Sequence, residues 1–383
     1  MRFRNNWKEV IMKIVVDART MGSRPSGVGM YLFDFLKELV NYKEFEFILL
    51  ADVATSEYID YFRNLGMEIR TQGKEVYRSA GVYAYFGFIQ EELNNIKPDL
   101  FWEVNTVIPI KLIGNHKTMI TIHDMFPITH VKYFGFIYSV YFKYNLKKTL
   151  KYTDMILYNS RQSKTTTENI LPRAKNIKNS IAYIISNPLK EVPKNGNEGF
   201  FLYVGNMEKR KGVDLLLKGY KEYRQNGGKT KLILAGKMQE EDIRILLEAT
   251  QQEVDGLEYM DYVSHEKKQE LFSACECFVF PSKAEGFGMP ILEVMKYYKP
   301  ILVSNLEIYD EIIGDCVNKF AINVTENEQI SNLREAMRTY STQVDKTLYD
   351  QALGQYLPEK LGGIVRRFIN DTIISETTKN DTL

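Results

Sequence analysis

Two glutamates in the second half of the chain are spaced so that they can contact separate parts of one ligand. Glu285 lies in a loop after an apolar run, and Glu293 follows eight positions later. Between them, Phe287 and Gly288 precede Pro290, which the first turn of a helix tolerates because the N–H groups there are unpaired. Such a helix start suits an anion or a polar sugar. The alternative is that Glu293 is a solvated helix residue and Glu285 a loop residue without a partner.

Three consecutive cations, Lys209, Arg210 and Lys211, lie in a second loop shortly after Gly205 and Asn206. At the start of a helix they repel one another and the helix dipole unless an anion is present. A diphosphate would remove this conflict, because arginine can bind phosphate oxygens through two N–H groups and lysine adds a point charge. The loop therefore predicts a phosphate site, although charge runs also occur on solvated faces that bind nothing.

The first half of the chain contributes two weaker signals. Gly27 and Gly29 precede a predicted helix, and a Gly-x-Gly turn lets the backbone approach a phosphate or a sugar closely. Leu32 occupies the third glycine position of the dinucleotide fingerprint, which disfavours an NAD-dependent dehydrogenase. His123 ends a predicted strand beside Asp124 and can hydrogen-bond a sugar hydroxyl, with Asp124 orienting it or capping the next element. A satisfied structural histidine is the alternative.

These residues must be positioned by strands and helices, and the chain alternates short apolar, β-branched runs with longer helical stretches. That alternation is typical of βα units in a parallel sheet. It breaks at Asn187 and Pro188 and along the polar segment 190–198. We therefore predict an α/β fold of two doubly wound, Rossmann-like domains, 1–188 and 189–357, facing each other across a cleft. The predicted strands are 13–17, 46–51, 99–103, 118–122, 154–158, 200–205, 231–235, 277–281 and 300–304.

Composition excludes several classes of protein. A chain of 383 residues can build two cores of ordinary size. No apolar run approaches the ~18 residues that span a bilayer, and residues 1–10 lack a signal-peptide stretch, so a cytoplasmic location is predicted. Residues 1–11 are predicted to be a poorly ordered extension. The three cysteines cannot form a disulfide framework. The chain has only four histidines and no Asp-x-Asp pair, so we predict no metal and no cofactor.

Charge is distributed unevenly. Residues 1–190 hold 26 Lys and Arg against 18 Asp and Glu, whereas the remainder holds 24 against 31. This asymmetry favours an anionic partner for the first half, such as a membrane surface or a phosphorylated acceptor, with an inconsequential dipole as the alternative. The stretch 133–151 is dense in Phe and Tyr and ends in four lysines on one helical face. It can rest on an anionic membrane and present a lipid-linked acceptor, or be a core-packed helix with a lysine edge.

Together, these stretches resemble the retaining glycosyltransferases of family GT4, also called glycosyltransferase group 1, along nearly the whole chain. The likeness rests on four motifs in the family's order. They are Asp17-Ala18-Arg19 with residues 27–31, His123-Asp124, residues 204–211, and the E-x7-E motif from Glu285 to Glu293. The resemblance implies the GT-B fold, with a terminal segment, 358–383, whose helix crosses back onto the first domain. Asn206 and Asp261 depart from residues common in relatives, which makes the donor harder to read.

The resemblance also implies roles for the site residues. Arg210 and Lys211 would neutralise the departing diphosphate, Glu285 with the backbone of Phe287 and Gly288 would hold the donor sugar, and Glu293 would hold the ribose. The predicted catalytic residues are Glu285, Arg210, Lys211 and His123. The predicted donor-binding residues are Gly27, Gly29, Gly205, Asn206, Phe287, Gly288 and Glu293.

The reaction implied by the resemblance replaces a nucleoside diphosphate by an acceptor hydroxyl with retention at the anomeric carbon, without a metal. The expected partners are a nucleotide-sugar donor, a glycan or lipid-linked acceptor in cell-envelope polysaccharide or glycolipid synthesis, and an anionic membrane, but not nucleic acid. Peripheral attachment at the inner face of the cell membrane goes with these partners. Two alternatives stay open: a sugar-nucleotide epimerase or phosphorylase on the same fold, and a catalytically silent glycan-binding subunit.

Overall fold

The computed structural model describes residues 11–22, 27–76, 79–189 and 198–380. The predicted extension 1–11 therefore lies outside the described residues except for Ile11, as does most of the polar segment 190–198. The chain divides into two compact units, Met1–Ile185 with Pro358–Leu383, and Ser186–Leu357. The boundary predicted from the sequence, after residue 188, lies a few residues later than this division.

The first unit is built on a seven-stranded sheet in which all pairings are parallel. Its strands are β1 (Met12–Asp17), β2 (Phe45–Ala51), β3 (Glu68–Thr71), β4 (Leu100–Glu103), β5 (Lys117–Ile122), β6 (Met155–Tyr158) and β7 (Lys178–Ile181). They lie in the order β3-β2-β1-β4-β5-β6-β7. The inner strands are buried along most of their length, which explains why they read as continuous apolar runs.

Helices and short turns connect these strands. They are α1 (Gly27–Leu39), α2 (Glu57–Asn64), α3 (Ser79–Ile96), α4 (Phe126–Thr129), α5 (Val131–Phe134), α6 (Phe136–Thr149) and α7 (Arg161–Ile170), with short 3-10 turns at Arg19–Met21 and Pro172–Asn176. One core lies between sheet and helices, where Val15, Phe101 and Ile120 of the strands join Tyr85 and Ile89 of α3.

The second unit repeats this plan with six parallel strands. They are β8 (Phe200–Val204), β9 (Lys231–Ala235), β10 (Leu257–Met260), β11 (Cys277–Phe280), β12 (Ile301–Ser304) and β13 (Asn318–Phe320), in the order β10-β9-β8-β11-β12-β13. The helices are α8 (Val213–Gln225), α9 (Glu241–Glu253), α10 (His265–Ala274), α11 (Met289–Met295), α12 (Glu307–Ile312), α13 (Glu326–Thr339) and α14 (Lys346–Leu353), with a 3-10 turn at Lys209–Lys211.

The last helix, α15 (Pro358–Asn380), belongs to the first unit although it follows the second in the chain. It packs against α1 and β7, and it buries Leu361, Val365 and Ile369. Arg366 hydrogen-bonds Glu44 and lies over the Tyr42 ring. Among the helices that the structure describes, none combines the length and the apolar character needed to cross a bilayer.

In each sheet the strand order reverses beside the first strand of the unit, between β1 and β4 and between β8 and β11. Loops that leave these neighbouring strands run to opposite faces of the sheet, and the crevice between them is where doubly wound folds bind ligands. The residues singled out in the sequence lie in or after the loops that follow β1, β5, β8 and β11.

Candidate functional site

The loop after β8 is held in place by its neighbours. Gly205 N donates to Ala235 O at 2.9 Å, and the buried Tyr203 hydroxyl donates to Asn206 O at 2.9 Å. A Cβ on Gly236, whose φ is +144°, would lie 2.0 Å from Gly205 O, so the loops after β8 and β9 touch backbone to backbone. Glycine is therefore required at position 236, a requirement that the sequence pattern did not reveal.

The three cations of this loop each contact a carboxylate of the protein. The pairs are Lys209 with Asp242 at 2.5 Å, Arg210 with Glu208 at 2.6 Å, and Lys211 with Glu285 at 2.6 Å. The expectation that only a bound anion could relieve their repulsion is therefore wrong, because the protein's own carboxylates offset it. The lysine at 209 is well exposed, whereas Arg210 and Lys211 are mostly covered.

The loop after β8 is joined to the loop after β11. Gly212 has a φ of +70°, and a Cβ there would lie 1.9 Å from Pro281 O. Lys283 N donates to Arg210 O at 2.9 Å, and Arg210 Nη1 donates to Ala284 O at 3.0 Å. These contacts fix the two loops to each other. Arg210 and Lys211 therefore lie beside the start of the E-x7-E motif.

Glu285 is buried and has partners, so the alternative of a partnerless loop residue is wrong. Its Oε1 accepts hydrogen bonds from Lys211 Nζ at 2.6 Å and from Ser282 Oγ at 2.7 Å. Ser304 Oγ in turn donates to Ser282 O at 2.5 Å, which fixes the serine. Ser282 was not predicted from the sequence. The position of Ser282 in a loop, three residues before Glu285, was the signal available.

Glu293 lies on α11 and has a partner on α10. Lys268 Nζ contacts both carboxylate oxygens, at 2.8 and 3.0 Å. Both side chains keep part of their surface exposed, so the carboxylate is held but still accessible. The alternative of a purely solvated Glu293 is therefore wrong, and Lys268 is a second residue that the sequence pattern did not identify.

The turn into α11 supplies backbone rather than side chains. Gly288 has a φ of +104°, and a Cβ there would come within 3.1 Å of the Tyr309 ring. The Phe287 side chain is buried and packs edge-on against Tyr356, with ring centroids 5.6 Å apart. The predicted contact of these two residues with the donor would therefore have to come from their main chain.

The first unit holds the remaining predicted residues, Gly27, Gly29 and His123. Gly27 begins α1 and has open space where a Cβ would be. A Cβ on Gly29 would lie 2.0 Å from Thr20 O, so the backbone of α1 rests directly on the turn at Arg19–Met21. The structure thus requires glycine at position 29 for close packing, whereas position 27 is exposed.

His123 is set by a backbone carbonyl. Its Nε2 lies 3.0 Å from Val104 O, and the Tyr31 ring meets it edge-on at 4.9 Å between centroids. Burial lowers the pKa of His123 to about 4, and the hydrogen bond to Val104 opposes this only in part. The neutral ring donates from Nε2, which leaves Nδ1 as an acceptor. Asp124 Oδ1 accepts from the backbone N of Phe126, the first residue of α4, at 3.0 Å.

The structure thus brings together Gly205, Asn206, Arg210, Lys211, Glu285, Phe287 and Gly288 in the second unit, with Glu293 on the helix that follows. Gly27, Gly29 and His123 lie in the first unit. Over the described part of the chain, no group of three or more His, Cys, Asp and Glu side chains is placed to hold a metal ion. Cations and carboxylates joined in pairs at strand ends suit an anionic, hydroxyl-rich ligand.

Comparison with known proteins finds similarity to glycosyltransferases. The family model described as "Glycosyl transferases group 1" matches residues 186–342. O-antigen chain mannosyltransferase RfbU of Salmonella typhimurium is 24% identical over 90% of this chain and 99% of its own length. O-antigen chain mannosyltransferase B of Escherichia coli is also 24% identical, over 79% of this chain and 85% of its own length.

Solved structures agree in fold. Anabaena Alr3699/HepE, crystallised with UDP and glucose, aligns with a TM-score of 0.67 at 14% identity, covering 94% of this chain and 100% of that one. WaaG, a glycosyltransferase involved in lipopolysaccharide biosynthesis, aligns with a TM-score of 0.66 at 14% identity, covering 92% of this chain and 99% of that one. The chain therefore has the GT-B fold of these glycosyltransferases, and its segment 186–342 matches the group 1 family model.

Proposed function

We propose that this glycosyltransferase moves a hexose from a nucleoside-diphosphate sugar to a glycan or lipid-linked acceptor, with retention at the anomeric carbon and without a metal. Its place would be one step of cell-envelope polysaccharide or glycolipid synthesis. The observation that carries the proposal is the joined pair of loops in which Arg210 and Lys211 lie beside Glu285. Two O-antigen mannosyltransferases among the relatives support the pathway class.

The cations of the site suit a diphosphate leaving group. Arg210 and Lys211 are mostly covered but not sealed, and each already contacts a carboxylate. A diphosphate arriving at these two side chains would add acceptor oxygens to donors that the fold has already ordered, so little side-chain entropy is lost on binding. Their two positive charges would stabilise the charge that develops on the leaving phosphate. That is why the proposal needs no metal.

Glu285 would hold the sugar. One of its oxygens, Oε1, accepts from Lys211 and Ser282, which leaves Oε2 for a sugar hydroxyl. In the transfer, the bond between the anomeric carbon and the diphosphate oxygen breaks while a bond to the acceptor oxygen forms on the same face. The acceptor's proton passes to an oxygen of the departing phosphate, so no strongly basic side chain is required.

Glu293 and His123 would complete recognition. Glu293 is held by Lys268 and can still accept from ribose hydroxyls. His123 keeps its ring neutral near pH 7, so its Nδ1 can accept a hydrogen bond from a sugar hydroxyl. Asn206 and Gly205 would contribute backbone groups at the diphosphate, and Gly27 and Gly29 stay predicted donor-binding residues of the first unit.

The relatives indicate two different donors. The two O-antigen relatives are mannosyltransferases, which favours a mannosyl donor. HepE was crystallised with UDP and glucose, which favours a uridine nucleotide. We propose a mannosyl donor, because the relatives that favour it match this chain at higher identity than does HepE.

A membrane contact by α5 and α6 is part of the proposal, at the inner face of the cell membrane. Phe136 and Ile137 are 74% and 86% exposed, and Val140 and Tyr144 are also exposed. Lys143, Lys147, Lys148 and Lys151 are exposed on the same helix and just after it. Apolar side chains that point outward beside cations are typical of surfaces that rest on anionic lipid, while Leu146 on the opposite face of α6 packs into the core.

Two tests address the proposal. Thermal stabilisation by a panel of nucleoside diphosphates and nucleotide sugars, with chelator present, should show a selective shift for one base. NMR of the product should show the anomeric configuration of the donor. Nucleotide-sugar conversion without an acceptor would favour the epimerase, and no shift in a folded protein would favour the silent subunit. A shift or turnover that chelator abolishes would contradict metal independence.

The membrane contact has its own test. Replacing Phe136 and Ile137 together by serine should abolish sedimentation with vesicles of anionic phospholipid. The exposed Ile245→Ser in the second unit is the matched control and should have no effect. Equal sedimentation of the double variant and the wild type would contradict the contact.

A further inference from the structure

A buried charge cluster lies in the first unit, outside the residues assigned so far. Arg19 Nε lies 3.0 Å from Asp17 Oδ2, and Arg19 Nη2 lies 3.3 Å from Glu103 Oε1. The Tyr85 hydroxyl donates to Asp17 Oδ1 at 2.8 Å. The guanidinium also lies over the ring of Phe86, 4.8 Å from its centroid. These side chains come from the ends of β1 and β4, from the turn at Arg19–Met21 and from α3. Arg19 keeps 9% of its side chain exposed, and the others are buried.

Burial favours the uncharged form of Glu103. Desolvation raises the pKa of Glu103 well above its usual range, and the charge of Asp17 adds to this. Glu103 Oε2 is buried without a hydrogen-bond partner among the described residues. A proton on Glu103 would let it donate to Asp17.

The cluster supports the turn beneath α1. Arg19 N donates to Asp17 Oδ1 at 3.1 Å, which fixes the turn at Arg19–Met21. The carbonyl of Thr20 in that turn is the atom against which Gly29 packs. Displacing Arg19 would therefore displace the first turn of α1, where Gly27 and Gly29 lie.

The same cluster supports the turn that orients His123. Glu103 Oε1 accepts from Asn105 N at 2.8 Å, which fixes the residues on both sides of Val104. The carbonyl of Val104 accepts from His123 Nε2 at 3.0 Å. The position of the imidazole thus depends on a turn that Glu103 holds.

We propose that Asp17, Arg19 and Glu103 form a positioning cluster that fixes two elements of the first unit at once, the glycine turn at the start of α1 and the ring of His123. That these two elements contact substrate rests on the proposed function. The positioning itself does not, and it can be measured without substrate.

The test is the titration of His123 by NMR, using protein labelled at histidine. The chain has only four histidines, and comparison with His123→Asn assigns the resonance. Wild type should titrate near the value of about 4 that burial imposes on the pKa of His123. Glu103→Ala should move that pKa toward the ordinary 6.5, because the released turn admits water. Glu103→Gln should keep it low, since the amide can donate to Asp17 and accept from Asn105.

A second arm measures transfer. Arg19→Lys keeps the charge but cannot span both carboxyls, and it should lower the turnover number by about 10- to 100-fold through misplacement of the site. Arg63→Lys, which changes an exposed arginine paired with Asp60, is the control. A folded Glu103→Ala protein whose His123 still titrates near 4 would overturn the positioning role. Absence of transfer in the wild type would instead count against the proposed function and leave the titration result standing.

Discussion

The two units place a cation and a carboxylate at the same topological position, but they treat them differently. Arg19 and Glu103 bridge the loops after β1 and β4, with side chains 9% and 0% exposed. Lys211 and Glu285 bridge the loops after β8 and β11, with side chains 17% and 5% exposed. In both sheets this is where the strand order reverses.

The difference lies in what surrounds each pair. In the first unit, Tyr85 and Phe86 close over the guanidinium, so the charges interact only with one another. In the second unit, the neighbouring cation Arg210 and the accessible Glu293 leave charged groups in reach of a ligand. The same topology therefore yields a buried ion-pair cluster in the first unit and a candidate substrate site in the second. The two differ in how far their charged groups are accessible to a ligand.

The largest effect should come from replacing Arg19, the mostly buried cation of the first unit. Arg19→Met leaves the Asp17 carboxylate buried without a counter-ion, which should lower the free energy of unfolding by about 3–5 kcal/mol. Urea unfolding followed by tryptophan fluorescence reports on the first unit, because Trp102 is buried in β4 and the sequence from 186 to 357 contains no tryptophan. Adding Asp17→Asn to Arg19→Met should restore part of the loss. If Arg19→Met lowers the free energy of unfolding by less than about 1 kcal/mol, as is typical of exposed ion pairs, the cluster does not stabilise the first unit.

The next effect concerns the carboxylate of the candidate site. Glu285→Gln should reduce transfer by about 100-fold, because it removes an interaction with the reacting sugar, and it should lower the unfolding midpoint less than Arg19→Met does, because the amide can still accept from Ser282. Initial rates with donor and acceptor measure this. Glu241→Gln, on an exposed helix residue paired with Arg244, is the control and should retain full activity. Equal rates for Glu285→Gln and this control would remove Glu285 from the site.

Two neighbouring lysines allow a finer comparison. Lys211→Met should weaken nucleoside-diphosphate binding by about tenfold or more, in keeping with the ~1.5–3 kcal/mol of a hydrogen bond to a charged group. Lys209→Met changes a lysine that is 44% exposed and should leave the binding constant nearly unchanged. Isothermal titration with the preferred nucleotide distinguishes them. Similar losses in both variants would mean that overall charge, not the site, attracts the nucleotide.

The smallest effect appears only in acid. Because the folded protein lowers the pKa of His123 to about 4 from 6.5, the unfolded chain binds a proton at that residue more readily. Stability from this group is therefore complete above pH 6.5 and is lost as the pH falls toward 4. The midpoint of thermal unfolding, compared between wild type and His123→Asn from pH 8 to 4, isolates the contribution. Parallel curves would show that His123 is not buried as described.

The central strands of both sheets could be predicted from the sequence, whereas the edges could not. All nine predicted strands are present, with ends shifted by a residue or so. The four strands that were missed, β3, β7, β10 and β13, are the edge strands of the two sheets. Edge strands are covered less completely, so they lack the continuous apolar run that marks an inner parallel strand.

The candidate site shows the same division between local and distant information. The E-x7-E motif and the cation loop are visible because their residues are close in sequence. Glu293 pairs with Lys268, 25 residues away, and Arg19 pairs with Glu103, 84 residues away. No local sequence pattern indicates these pairs. Charge pairing across strands depends on sheet order, which a single sequence specifies only through the finished fold.

Helix α15 gives the order of synthesis a structural meaning. The first unit needs Leu361, Val365 and Ile369 to cover α1 and β7, yet these residues leave the ribosome after the whole second unit. The second unit can therefore complete its core first, while the first waits with an apolar face uncovered. A nascent chain stalled before residue 358 would therefore contain every residue of the second unit, whereas its first unit would still lack the helix that covers α1 and β7.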